Sequence, residues 1–338
     1  MAWTVDWRVT IDGSDVSSFM RPLLTAIEIV DRDGTASDAA RLTFDDTGGQ
    51  CLLPRTGAKV GIFLNGVSCF DGVVDSTPWT LTRGGGRLLQ VNAKGFDTRG
   101  KAKEGQRWHL DDATLGHALD KAARLAGLSG MIVDPAFASI MRDYWSPDGV
   151  SFLAWGEKLA RQFGATFKIR GDRAVFARRG QGLSAIGQAM PTVRGTVPGN
   201  VISINIDPTR GRARYGKARA RYFDRETAQF VVTEIDIDGA DLDAIDDIRG
   251  SAADETQARS FAEAHKVNAE RDAGSGSVEI DLAPEAQAEG TFVLSGARPG
   301  IDGSYRITGV THKANRGGGA TTVLELKQPG NGAGKDDR

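Results

Sequence analysis

The feature that most constrains this fold is a hairpin layout that the chain uses twice, at residues 70–95 and 301–329. The two stretches read FDGVVDSTPWTLTRGGGRLLQVNAKG and IDGSYRITGVTHKANRGGGATTVLELKQP. Each begins with an apolar residue and Asp-Gly, reaches an Arg-Gly-Gly-Gly turn, and continues with alternating apolar residues. Alternation on both sides of a glycine turn is typical of a β-hairpin. The repeat predicts that one strand-rich domain plan is built twice.

The composition agrees with a strand-rich chain that has many tight turns. Glycine supplies 43 of the 338 residues and proline only 11, and glycine without proline favours turns over disorder. The net charge of -2 gives no global field for nucleic acid or anionic membrane. No stretch approaches the length of a membrane span, and the first residues lack a secretory signal pattern.

The period of the apolar residues changes several times along the chain. Residues 1–100 alternate as strands, with a hairpin in which Asn65-Gly66 supplies a type I′ turn. Helices are expected at 111–128, capped by Asp111 or Asp112, and at 148–165, ended by Gly164. The elements expected next are a hairpin at 166–180 about Gly171-Asp172, strand over 200–224 and a helix at 254–274.

These patterns predict a mainly β fold with α+β insertions. The expected parts are a first β-barrel domain (1–105), an α+β insert (106–180), a linker (181–199), the first part of a second barrel (200–245), a helical insertion (246–274), the remainder of the second barrel (275–329) and a disordered tail (330–338).

The sequence predicts no catalytic, cofactor or metal site. The four histidines have no metal-like spacing to one another or to the two cysteines, which read as small apolar residues. The Arg-Gly-Gly-Gly turns lead into strands, so they lack the helix N-terminus that binds phosphate. If Gly239 takes the turn position of a calcium loop, Ile245 stands where the bidentate carboxylate belongs. Paired carboxylates for glycoside hydrolysis stay open, since acids are plentiful and no pair is singled out.

A basic stripe is the more informative feature. On a strand its cations share one face, with a slip at Gly216 that reads as a bulge. Three readings remain open: a solvated face, with neutralisation by the nearby acidic run 234–247; a protein interface; and a nucleic-acid contact, which the net charge makes the least favoured. The residues are Arg210, Arg212, Arg214, Lys217, Arg219 and Arg221.

The order of parts resembles the phage late control D family, the baseplate hub proteins of contractile tails. Three segments carry the resemblance: GSYRITGVTHKANRGGGATTVLEL, which places His312 and Thr321 or Thr322 at recognisable positions; VSFLAWGEKLARQFGATFKIRGDRAVFARRG; and RARYGKARARYFD. The family often has a Gln-x-x-Glu-Ser-Asp-like cap before the Phe-Leu helix, where this chain has YWSPDGVSFL. Ser146 or Asp148 is the expected cap here.

The resemblance implies a homotrimer with two similar barrels per chain, which would form a pseudo-sixfold ring. Its implied partners are the tail tube protein and a separate central spike protein, with baseplate wedge and tape measure proteins as further candidates. The implied location is the virion tail baseplate, after assembly in the host cytoplasm. Contacts are expected at the basic stripe and at the strand containing Val310 and His312.

Two other function classes compete with a structural hub. One is an enzyme, a peptidoglycan hydrolase carried on a tail tip, although no catalytic constellation stands out. The other is a binding module, a carbohydrate- or DNA-binding barrel that would use Arg212 and Arg219 for DNA. The order of parts favours the structural hub.

Overall fold

The computed structural model describes residues 3–33, 37–97, 100–179, 189–208, 215–224, 226–237, 244–252, 254–272, 274–336 and 338. Its first part contains β1 (Trp7–Ile11), β2 (Ser14–Asp15), α1 (Ser17–Met20), β3 (Leu24–Arg32), β4 (Ala39–Asp45), β5 (Lys59–Leu64), β6 (Val67–Ser76), β7 (Trp79–Thr82), β8 (Gly86–Lys94) and a 3-10 turn (Lys101–Lys103). Its middle part contains β9 (Leu110–Thr114), α2 (Leu115–Leu125), β10 (Gly130–Val133), α3 (Pro135–Ala138), β11 (Met141–Trp145), α4 (Phe152–Phe163), β12 (Ala165–Arg170) and β13 (Arg173–Arg178). Its last part contains β14 (Thr192–Thr196), β15 (Val201–Asp207), β16 (Lys217–Asp224), β17 (Gln229–Asp236), β18 (Ile245–Ala252), α5 (Glu255–Arg271), β19 (Ser275–Asp281), β20 (Thr291–Ser295), β21 (Gly303–Asn315) and β22 (Gly319–Gly330).

The first and last parts build the same strand order. In the first part the order is β3-β4-β8-β6-β5-β1, with β7 continuing β6 along β8. In the last part it is β15-β19-β22-β21-β20-β14. Corresponding strands follow one another in the same chain order, with β16 to α5 inserted after β15. One pairing differs, since β1 is antiparallel to β5 and β14 is parallel to β20.

The correspondence extends to single residues. Both predicted hairpins form, with the turns at Arg83–Gly86 and Arg316–Gly319 at matching positions. The pair Asp45–Leu88 on β4 and β8 matches Asp281–Thr321 on β19 and β22. A bulge breaks the pairing of β3 with β4 between Leu24 and Ala26, and the pairing of β15 with β19 has the same bulge between Val201 and Ser203. Strand order, turns and a bulge thus repeat together.

Each half has its own apolar core, and one strand pairing joins the halves. The first core contains Trp7, Ile29 and Ile62, and the second contains Phe292, Ile307 and Leu324. β21 pairs with β3 in antiparallel register from Gly309–Arg32 to Asn315–Ala26. The fourteen strands of both halves that the structure describes therefore form one hydrogen-bonded network.

The middle part is an α+β unit with helices where the apolar period predicts them. Gly164 ends α4 in the left-handed conformation (φ 61°), as predicted. Both predicted N-caps are wrong, because β9 runs on to Thr114 before α2, and a turn at 147–150 lies between β11 and α4. Thr114, not Asp111 or Asp112, caps α2, and Ser151, not Ser146 or Asp148, caps α4.

Three boundaries differ from the sequence-based expectation. Within 200–245, the strand β15 joins the large sheet, whereas β16 and β17 form a separate sheet with β18. This sheet packs on α5 through Ala218, Ala220 and Ala258. Because β18 begins at Ile245, the expected helical insertion (246–274) also contains a strand. The expected linker 181–199 contains β14, which pairs with β20; residues 181–188 lie outside the described range.

The tail expected to be disordered packs on the second half over its described residues. Ala333 is buried in the second core, and the Gly334 N–H donates to the Gly300 carbonyl. Asp336 accepts from Arg298 at 2.9 Å. These contacts order the chain through the glycine-rich segment.

Candidate interaction surfaces

The described part of the basic stripe is matched by acidic residues on the neighbouring strand. Arg219 pairs with Glu234 at 2.6 Å, and the Lys217 ammonium lies 3.8 Å from Glu234 and 3.7 Å from Asp236. The Arg221 guanidinium lies 5.7 Å from the centre of the Phe230 ring, within reach of a cation–π interaction. Arg210, Arg212 and Arg214 lie outside the described residues. Over β16 and β17 the surface is therefore close to neutral.

The same face becomes apolar at its other end. Phe223 and Phe230 pack edge to face, with ring centroids 5.3 Å apart, and both are exposed. Val232 is exposed beside them. A face with paired charges and exposed aromatic rings is typical of protein contacts rather than of phosphate binding.

Val310 and His312 lie inside the protomer, so they offer no free contact surface. They are 1% and 3% exposed. His312 Nδ1 lies 3.0 Å from the Thr322 hydroxyl, which also accepts from the Ala283 N–H at 2.9 Å. Burial lowers the pKa of His312 to about 4, against the opposing effects of Asp31 and the Ala286 backbone. The neutral ring belongs to the junction between the halves.

A buried charge cluster fastens the first half to the middle part. Lys168 and Arg170 of β12 pair with Asp31 of β3 and with Asp38. Burial opposes ionisation of Asp31, but the charges of Lys168 and Arg170 outweigh it and lower its pKa. Burial, then the charge of Asp31, raises the pKa of Asp38. Lys168, Asp31 and Asp38 are largely buried and Arg170 is half exposed, so the cluster stabilises the arrangement of the parts from a mostly buried position.

An apolar groove lies open on the first half of the chain. It has a volume of about 620 Å³ and lies between α1 and the segment 50–54. Leu52 is 93% exposed and Leu53 65% exposed. The sequence carries a signal for this groove, since the run Cys-Leu-Leu-Pro at 51–54 is apolar without the alternating polar residues of a half-buried strand. Apolar side chains exposed together indicate a contact site.

The strand β7 adds to this exposed surface. All four of its residues are exposed, with Trp79 at 48%. The Trp79 indole N–H donates to Asp46 Oδ2 at 3.0 Å, which ties β7 to the loop that carries Leu52. The groove and β7 therefore lie at the same end of the first half.

The described residues include two cysteines but neither a cluster of metal-ligating side chains nor a helix of membrane-spanning length and hydropathy. Over the described ranges, no group of three or more His, Cys, Asp or Glu side chains converges as a metal site. Both cysteines are free thiols, and burial raises each of their pKa values to about 11. In the part of the chain that the structure covers, no helix is long and apolar enough to cross a bilayer.

Two curated relatives are similar to this chain over part of its length. The chain is 26% identical over 197 residues to the probable baseplate hub protein of Escherichia phage P2. The aligned region covers 56% of this chain and 49% of the relative. It is 23% identical over 191 residues to the probable baseplate hub protein of Escherichia phage 186. Here the aligned region covers 55% of this chain and 48% of the relative. The matches thus span about half the length of each relative. No family model matches the chain.

Solved structures with the same fold come from phage tails and from a secretion system. The 43 kDa tail protein of prophage MuSo2 from Shewanella oneidensis has a TM-score of 0.72 at 12% identity, covering 96% of this chain and 98% of that one. The tail protein from Neisseria meningitidis MC58 has a TM-score of 0.71 at 13% identity, covering 96% of both chains. An Escherichia coli component of the type VI secretion system has a TM-score of 0.60 at 11% identity, covering 98% of this chain and 79% of that one. The predicted resemblance to phage baseplate hub proteins is confirmed by the curated relatives, and the fold is one found in phage tail proteins.

Proposed function

We propose that this chain is a structural hub in the baseplate of a contractile phage tail. In this proposal three copies form a ring that joins the sixfold tail tube to the threefold central spike. The names of the sequence relatives support the baseplate role, and the fold supports a tail protein.

The observation that carries the proposal is the repeated strand order of the two halves. Each six-strand unit surrounds its own apolar core, which supports two barrel-like domains per chain. Three chains then present six similar units around one axis, while the assembly itself keeps threefold symmetry. Such a ring can match a sixfold tube on one side and a threefold spike on the other.

The charge pattern supports a protein partner over nucleic acid. Lys217 and Arg219 are paired with carboxylates of β17, so they release few counterions on meeting a phosphate backbone. We therefore place protein contacts ahead of a DNA-binding role.

The test is the mass of the particle in solution, alone and with a trimeric spike protein. Size-exclusion chromatography with light scattering should give three chains per particle, and the spike should co-elute with it. A mobility shift with duplex DNA at physiological salt serves as the control and should be absent. A particle of one chain that stays single beside the spike would contradict the hub.

A further inference from the structure

Among the described residues, β7 in the first half and β15 in the second half each leave one strand edge unpaired. β7 pairs with β8 on one side, and β15 pairs with β19 on one side. The Pro78 carbonyl accepts from the Gln90 N–H of β8. The backbone of Pro78, which has no N–H to donate, therefore faces β8 and not the open edge. By alternation, the backbone groups of Trp79 and Leu81 face the open edge.

The duplication shows what these edges correspond to. Aligning the two Arg-Gly-Gly-Gly turns places Trp79 at the position of His312 and Leu81 at that of Ala314. Aligning the two bulges places Ile204 of β15 at the position of Ile27 of β3. β7 thus corresponds to the end of β21, and β15 corresponds to β3.

The strand edges that correspond to β7 and β15, namely those of β21 and β3, pair with each other within the chain. His312 stands opposite Ile29, and Ala314 opposite Ile27, in the antiparallel pairing of β21 with β3. All four of these residues are buried, whereas Trp79 and Leu81 are exposed. Ile204 and Ile206 are only partly buried. Apolar residues thus stand at the open edges at the positions where the joined edges contribute buried core residues.

We propose that β7 of one copy pairs with β15 of the next copy, as β21 pairs with β3 inside the chain. The copied register sets Trp79 opposite Ile206, Thr80 opposite Asn205, Leu81 opposite Ile204 and Thr82 opposite Ser203. This pairing rests on the ring of copies proposed above. It joins two different surfaces head to tail, which is the kind of contact that closes a ring.

A second observation supports the same contact. In the second half, the loop after β19 (residues 282–290) covers the first half: the Ala288 N–H donates to Asp31 at 3.0 Å, and the Cys69 thiol lies 3.6 Å from the Pro284 carbonyl. The corresponding loop of the first half, after β4, carries the exposed Leu52 and Leu53. The same geometry between copies buries these leucines under the second half of the neighbour.

Cross-linking tests the register. Thr80 points its backbone groups toward β8, so Thr80 and Asn205 would form a non-hydrogen-bonded pair, whose side chains are the closest in an antiparallel sheet. The test variant is Thr80→Cys with Asn205→Cys, in a background with Cys51→Ser and Cys69→Ser. The matched control, Thr80→Cys with Ser203→Cys, is two residues out of register.

After oxidation, the test variant should run as covalent species of two and three chains, at multiples of 36.0 kDa, on a non-reducing gel. The control should cross-link at least about tenfold less, because its diagonal distance exceeds the reach of a disulfide. A three-chain particle with no preference for the test variant would overturn the pairing and leave the hub intact. A one-chain particle would overturn the pairing and the ring together.

Discussion

At the scale of single residues, His312 shows that the position of a residue in a strand and the burial of its side chain depend on different parts of the chain. Its place in the hairpin could be predicted from the sequence, because the glycine turn fixes the register of the strands. Its burial could not be predicted, because the residues that cover it come from the loop after β19 and from β3. The corresponding Trp79 lacks such a cover in the single chain and stays half exposed.

We expect His312 to make the folded state less stable in mild acid. Since its folded pKa is lowered to about 4 from 6.5, its contribution is complete above pH 6.5 and is lost as the pH falls toward 4. At pH 5 the loss relative to pH 7.5 is about 2 kcal/mol of unfolding free energy. Urea denaturation at the two pH values measures it, at one fixed protein concentration.

The variant His312→Gln keeps a polar group beside Thr322 and removes this titration. Its unfolding free energy should fall by about 2 kcal/mol less than the wild type between the two pH values. His109→Gln changes an exposed histidine and should behave like the wild type. Equal pH dependence in all three proteins would show that His312 does not control acid stability.

At the scale of elements, the start of α4 gives a direct test of the revised cap. The Ser151 hydroxyl accepts from the Ala154 N–H, so Ser151→Ala should lower the unfolding free energy by about 1 kcal/mol. Ser146→Ala removes only a turn contact with Asp148 and should cost less than half as much. Thermal unfolding of both variants decides between the caps, and a larger loss for Ser146→Ala would restore the sequence-based assignment.

The elements themselves were largely predictable, while their partners were not. The hairpin at Asn65-Gly66 and the end of α4 at Gly164 follow from local backbone chemistry, and both are present. The stretch that forms β16 was also foreseen as a strand. The assignment of β16 and β17 to the second barrel was wrong, because they form a separate sheet that packs on α5, further along the chain. Alternating apolar residues indicate that one face of a strand is buried, but they do not indicate which element covers that face.

At the scale of the whole molecule, the duplication was visible in one hairpin and hidden elsewhere. The Arg-Gly-Gly-Gly turns keep their sequence because left-handed backbone conformations favour glycine. The matching bulges at Leu24 and Val201 have no such requirement, so their sequences have diverged. The two halves also differ in surface, since the first half exposes Leu52 and Leu53, while the corresponding loop of the second half packs on the first half.

The double variant Leu52→Ser and Leu53→Ser tests whether this surface is buried by assembly. Both side chains are exposed in the single chain, so the unfolding free energy of the monomer should change by less than about 0.5 kcal/mol. If a neighbouring copy buries them, each contributes about 1.5–3 kcal/mol to association, and the dissociation constant should rise at least about a hundredfold. Leu125→Ser, at an exposed leucine of α2, is the matched control. Sedimentation across a dilution series measures the constant, and equal values for the double variant and the control would place the contact between copies elsewhere.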